Sequence, residues 1–137
     1  MAEPILYIDT SGIGAGKLET VKALMTDLVA FVQANEPRLI AYDFFIDESG
    51  TTMTCVAIHP DSASMEFHMD IGWEKFRAFA EHIQQRSIDV YGDVSENVVA
   101  RLHRKIEMLG RGSVTVHRMQ AGLTRFTDVS AQAAAKH

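Results

Sequence analysis

Apolar side chains recur along this chain with two different periods, and the switches between them mark its elements. Residues 5–10 (ILYIDT) form an extended run of apolar and β-branched side chains, which predicts a strand. Over residues 18–33 the apolar positions Leu18, Val21, Leu24, Met25, Leu28, Val29, Phe31 and Val32 return every three to four residues. Glu19, Lys22 and Asp27 fall mostly away from that stripe, so the segment predicts an amphipathic helix. Asn35 and Pro37 end it, because the residue before a proline leaves helical geometry. Residues 39–46 (LIAYDFFI) and 52–59 (TMTCVAIH) are rich in aromatic and β-branched side chains, with Asp47-Glu48-Ser49-Gly50 between them as turn chemistry. They predict a hairpin.

The two faces of that hairpin follow from the two-residue period of a strand. One face carries Ile40, Tyr42, Phe44 and Ile46 opposite Met53, Cys55, Ala57 and His59. The other carries Leu39, Ala41, Asp43 and Phe45 opposite Thr52, Thr54, Val56 and Ile58. Neither face is plainly polar, so both need cover. The chain offers helices for one face only, and the second cover is expected to be another copy of the same sheet, giving a homodimer.

Beyond the hairpin, Asp61 or Ser62 is placed to cap a short helix over 63–68, and Asp70 a second piece running to Gln85. Ile71, Phe76, Phe79, Ala80 and Ile83 form its buried side. Residues 87–91 (SIDVY) predict a strand. Ser95 then caps a third helix with the stripe Val98, Val99, Leu102, Ile106 and Leu109. Gly110 ends it, and Arg104 and Lys105 suit its last turns. Residues 113–119 predict a fifth strand, with an extension over 123–126 allowed by the pattern. The alanine-rich stretch 130–137 is expected to be a flexible, frayed tail after a single domain over 1–129. The order is β-α-β-β-α-β with an added α-β. It predicts an α+β, ferredoxin-like (split βαβ) antiparallel sheet with helices on one face, plus an extra C-terminal helix and strand. Two such sheets face to face close a dimeric α+β barrel.

Composition narrows the function classes. With 137 residues, 47% hydrophobic and 23% charged, the chain is one soluble domain with room for a core. A formal net charge of −5 argues against a nucleic-acid partner, which wants clustered cations. No apolar run approaches the roughly 20 residues of a membrane span, and residues 1–10 lack the pattern of a signal peptide. The lone Cys55 forms no internal disulfide and suits a reducing cytoplasm. Ser11-Gly12-Ile13-Gly14-Ala15-Gly16-Lys17 suggests a phosphate loop at first sight. Yet only three residues separate Gly12 from Gly16, and Leu18 stands where a magnesium-binding hydroxyl belongs. It reads instead as a flexible strand-to-helix loop.

Several local patterns resemble one family. The Glu36-Pro37 helix exit, the Tyr42-containing second strand, Asp47-Glu48-Ser49-Gly50 and the Asp61-Ser62-Ala63-Ser64 helix entry followed by His68 resemble the antibiotic biosynthesis monooxygenase-like group of the dimeric α+β barrel superfamily. The likeness covers residues 5–91. It implies a dimer with a small pocket between sheet and helices in each subunit. In some members, a phenol or quinol is oxidised by O2 with no metal or flavin. On that reading no cofactor is needed, and the expected function is a cofactor-independent monooxygenase acting on a small aromatic or quinol-like substrate. The alternative is a non-catalytic dimeric ligand-binding or assembly module of the same fold.

His59, on the Tyr42 face, and His68 are the candidate catalytic groups, since an imidazole near neutrality can take a phenol proton. The plainer reading of each is a histidine satisfied by backbone or water. Tyr42, Phe44, Met53, Trp73 and Tyr91 are the candidate substrate-binding residues, and each equally serves as core. Haem-degrading relatives use an asparagine in the first strand, which residues 5–10 lack. His59, Asp61, Glu66 and His68 show no metal-ligand spacing, so no metal is expected.

Overall fold

The structure is a computed structural model that describes residues 3–125. Its elements are β1 (Ile5–Ile13), α1 (Leu18–Asn35), β2 (Ala41–Ile46), β3 (Thr52–His59), α2 (Ser62–Ile71), α3 (Trp73–Arg77), β4 (Ile83–Tyr91), α4 (Glu96–Leu109) and β5 (Gly110–His117). One sheet holds all five strands in the order β2-β3-β1-β4-β5. The first four strands pair antiparallel in the ferredoxin-like order. β5 joins the far edge parallel to β4, so the complete sheet is mixed. A parallel neighbour needs a crossover, and α4 is that crossover.

The hairpin faces fall as the alternation requires. Tyr42 pairs with Ala57, Phe44 with Cys55 and Ile46 with Met53, and Met53, Cys55, Ala57 and His59 are all buried beneath the helices. On the far side Leu6, Ile8, Val56 and Ile58 stay half-buried, while Phe45 is 56% exposed. This second face therefore carries an apolar stripe that no helix covers among the described residues. The core lies between sheet and helices, built from Ile5, Tyr7, Val21, Leu28, Met65, Met69, Phe76, Ile88, Leu102 and Ile106.

Capping accounts for two helix starts. Asp61 accepts the Ser64 backbone N–H at 2.9 Å, and Ser95 accepts that of Val98 at 3.1 Å. Asp70, in contrast, caps nothing: it lies within α2, and Gly72 precedes α3 without a side-chain cap. Nor does a helix run on to Gln85. It stops at Arg77, because Ile83, Gln84 and Gln85 pair with Ile13, Gly12 and Ser11 of a β1 longer than its apolar run suggests. An amphipathic segment fits either period, and the available ladder decides. β5 begins immediately after α4 and ends at His117, and residues 118–125 form no strand. Phe126 and the 130–137 tail lie outside the described residues.

Candidate functional site

The inward face of β1 presents Ile5, Tyr7, Asp9 and Ser11 in turn, and all four are buried. Two of them meet a cation from the added helix. Lys105, 5% exposed, donates to Tyr7 Oη at 2.8 Å and lies 3.4 Å from Asp9 Oδ2. Tyr7 Oη in turn donates to the same carboxylate oxygen at 2.5 Å. The Lys105 ammonium also sits 4.8 Å from the Tyr7 ring centroid and 4.6 Å from that of Phe76. A buried ion pair survives only when its remaining hydrogen-bonding positions are filled, and here the phenol fills one. Burial, reinforced by the Asp9 charge, holds the Tyr7 hydroxyl well above the usual phenol range.

A second polar group lies alongside. Glu36 ends α1 with its backbone N–H bonded to Val32 O at 2.8 Å, and it is buried. Its carboxyl oxygens lie 2.7 and 2.9 Å from His68 Nδ1. The His68 ring is 5.0 Å from that of Tyr42, 5.1 Å from Phe76 and 5.3 Å from His59. His59 Nδ1 meets Ser64 Oγ at 3.0 Å. Burial pushes the Glu36 carboxyl up to about 7. It pushes His68 down to about 3, helped by the Lys105 charge, and His59 down to about 3, helped by His68. A low-dielectric interior disfavours the charged forms. Below neutrality the pair is therefore a carboxylic acid donating its proton to a neutral imidazole.

These shifts make folding pH-dependent. The two histidines, depressed from 6.5, contribute stability that is complete above pH 6.5 and is lost as pH falls. Glu36, raised from 4.5, contributes in the opposite sense: its share is complete below pH 4.5 and is lost as pH rises through 7. Between pH 6.5 and 4.5, unfolding takes up two histidine protons and releases one carboxyl proton. The net of one proton corresponds to about 1.4 kcal/mol per pH unit, or about 3 kcal/mol across the window. Urea melts at pH 6.5, 5.5 and 4.5 are expected to show that decline. A flat profile would mean that these groups titrate normally in the fold.

Between sheet and helices is a cavity of about 20 Å³, room for one water. Tyr42, Phe44 and Met53 line it, together with Asp9, Ser11, Gln85 and Lys105. His68 stands behind Tyr42 and Phe76, and His59 behind His68. Trp73 lies elsewhere, half-buried at the start of α3 beside an outer groove with Arg101 and Arg104. Tyr91 is on the opposite face of the sheet, 36% exposed, its ring stacked 4.3 Å from that of His117. Cys55 is buried in the cavity wall, and burial raises its thiol well above the usual range. Among the described residues no group of three His, Cys, Asp or Glu is arranged to hold a metal ion, and no helix is long and apolar enough to cross a membrane.

The residues that sequence reasoning passed over are Asp9, Glu36 and Lys105. A signal existed for one: Lys105 is three residues after Leu102 and four before Leu109, squarely on the apolar stripe of α4.

This split βαβ sheet, with helices on one face, has the fold of antibiotic biosynthesis monooxygenase-like proteins. By sequence the chain matches no protein-family model and no curated protein. By structure it is similar to MupZ from Pseudomonas fluorescens, with a TM-score of 0.71 and 15% identity over 91% of each chain. It is also similar to a variant of SnoaB, a cofactor-independent oxygenase from Streptomyces nogalater (TM-score 0.58, 9% identity, 69% of this chain and 95% of that one). A third similar structure is a putative antibiotic biosynthesis monooxygenase from Bacteroides thetaiotaomicron (TM-score 0.55, 14% identity, 60% and 81%). At these identities the likeness is one of fold.

Proposed function

We propose that the protein is a cofactor-independent monooxygenase acting as a cytoplasmic homodimer on a small aromatic or quinol-like substrate. The observation that carries this reading is a buried ammonium, Lys105, in a cavity walled by Tyr42, Phe44 and Phe76, with the His68–Glu36 pair directly behind Tyr42 and Phe76. In this reading the Tyr42 ring moves aside as substrate enters. With Glu36 ionised above neutrality, His68 Nδ1 donates to it and His68 Nε2 takes the substrate's phenolic proton, and Lys105 stabilises the anion that forms. The anion gives an electron to O2, and the two radicals recombine. One oxygen atom enters the product and the other leaves as water. Tyr42, Phe44 and Met53 hold the ring; His59 supports His68. Trp73 and Tyr91 do not face this cavity and take no part in the step. The uncovered stripe of Leu6, Ile8, Val56 and Ile58 is the surface through which two copies would pair.

Oxygen uptake with a panel of hydroquinones and anthrones tests the proposal. His68→Ala is expected to lower the rate by about 100-fold or more, the usual weight of a positioned base, and His59→Ala by less. Absence of uptake with every substrate, or an unaffected His68→Ala variant, would overturn it. The narrowness of the cavity, about 20 Å³, favours the second reading, a dimeric ligand-binding or assembly module without turnover. That reading requires the first outcome.

A further inference from the structure

Two polar atoms in the cavity wall have no partner among the described residues: Ser11 Oγ and Gln85 Oε1. Their residues are 0% and 2% exposed and stand opposite one another in the β1–β4 register. The ladder is irregular at one step beside them, where Arg86 is the extra residue of β4. β1 shifts register against β4 between Thr10 and Ser11, and β4 shifts against β5 between Gln85 and Ser87. Such irregularities re-aim side chains and recur beside active sites. A buried hydroxyl and a buried carboxamide oxygen left without partners are costly. They share the cavity with Lys105 and Asp9. Its volume of about 20 Å³ exceeds the roughly 10–15 Å³ that one water needs.

We propose that Ser11, Gln85 and Lys105 form an oxygen-binding subsite, filled by one water in the resting protein and by the hydroxyl oxygen of the substrate in the complex. The subsite selects a hydroxyl over other oxygens for two reasons. Gln85 Oε1 requires a donor, whereas Lys105 supplies one, so the guest atom must both donate and accept. A guest carboxylate must also leave water already ionised and bring a second negative charge beside Asp9, which lies 3.4 Å from Lys105, whereas a hydroxyl enters neutral. The ring has a place to lie. Tyr42 and Phe44, edge to face at 5.4 Å, line this cavity and also the groove of about 610 Å³ between α1 and β2 that includes Met25 and Val29. Displacement of these two half-buried rings along the edge strand joins groove to cavity. This inference rests on the phenolic substrate class proposed above.

Titration of the full chain with phenol, anisole and benzoate, followed through the methyl signals of Met53, Ile83 and Leu109, tests it. Phenol is expected to shift these signals saturably and to bind at least tenfold tighter than anisole or benzoate. Ser11→Ala and Gln85→Leu should each weaken phenol fivefold or more, with the melting temperature unchanged or raised, since each removes an unpartnered polar group. Phenol that fails to bind, equal affinity for benzoate, or variants that bind phenol as well as wild type would overturn the subsite. The outcomes separate it from the enzyme reading. Phenol binding of this pattern without oxygen uptake keeps the subsite and removes the oxygenase. Oxygen uptake indifferent to both substitutions does the reverse.

Discussion

Replacing Lys105 by alanine is expected to destabilise the protein by about 3–5 kcal/mol, the usual result of stripping a buried charge of its partner. Asp9, 3% exposed, would keep its carboxylate in the interior with only the Tyr7 hydroxyl against it. The loss should be far smaller when Asp9→Asn is combined with Lys105→Met, because no unmatched charge then remains and the thioether refills the space. Urea denaturation of Asp9→Asn, Lys105→Met and the double variant gives the cycle, with Lys105→Ala measured beside it. A Lys105→Ala variant within about 1 kcal/mol of wild type would mean that the ion pair contributes little in the folded interior. Catalytic loss in the more stable double variant would then report on the anion-stabilising role of Lys105 separately from folding.

Gly112→Ala is expected to cost about 3 kcal/mol, at the upper end of overpacking. A β-carbon at Gly112 would stand 1.9 Å from the Arg86 carbonyl oxygen, and one at Gly110 would stand 2.1 Å from that of Gln85. Both obstacles are backbone on the neighbouring strand, so no side-chain rotation relieves them. Gly16 is the control: it is exposed, and a β-carbon there meets nothing within 4 Å. Its φ of +72° limits the cost of alanine to the backbone strain of about 1 kcal/mol. Thermal melts that rank Gly16→Ala below Gly112→Ala would reverse this account of the β4–β5 contact.

What the sequence made legible follows from which signals are local. The hairpin faces could be assigned residue by residue, because a two-residue period and a tight turn fix parity without tertiary information. The uncovered sheet face was legible for the same reason. The segment 70–85 was not: Phe76, Phe79, Ala80 and Ile83 satisfy a helical stripe, and only pairing of Ile83–Gln85 with Ile13–Ser11 pulls the last of them into a strand. In the site, Tyr42, Phe44 and Met53 were accessible because they share one face of the hairpin. Asp9, Glu36 and Lys105 come from three elements far apart in sequence, and each has an ordinary local explanation, as strand end, helix exit and helix-dipole partner. Only assembly shows that they are buried together.

The arrival of Lys105 from α4 bears on how the chain folds as it is made. The first ninety residues contain four strands and the helices that cover them, and on pattern alone they look self-sufficient. Yet until α4 has emerged from the ribosome, Asp9 has no counter-ion to accompany it inside. A half-synthesised chain must leave that strand loose or hold the carboxyl protonated. Cooperative locking of the sheet is therefore expected to wait for α4, which ties nascent-chain folding to the segment that also completes the pocket.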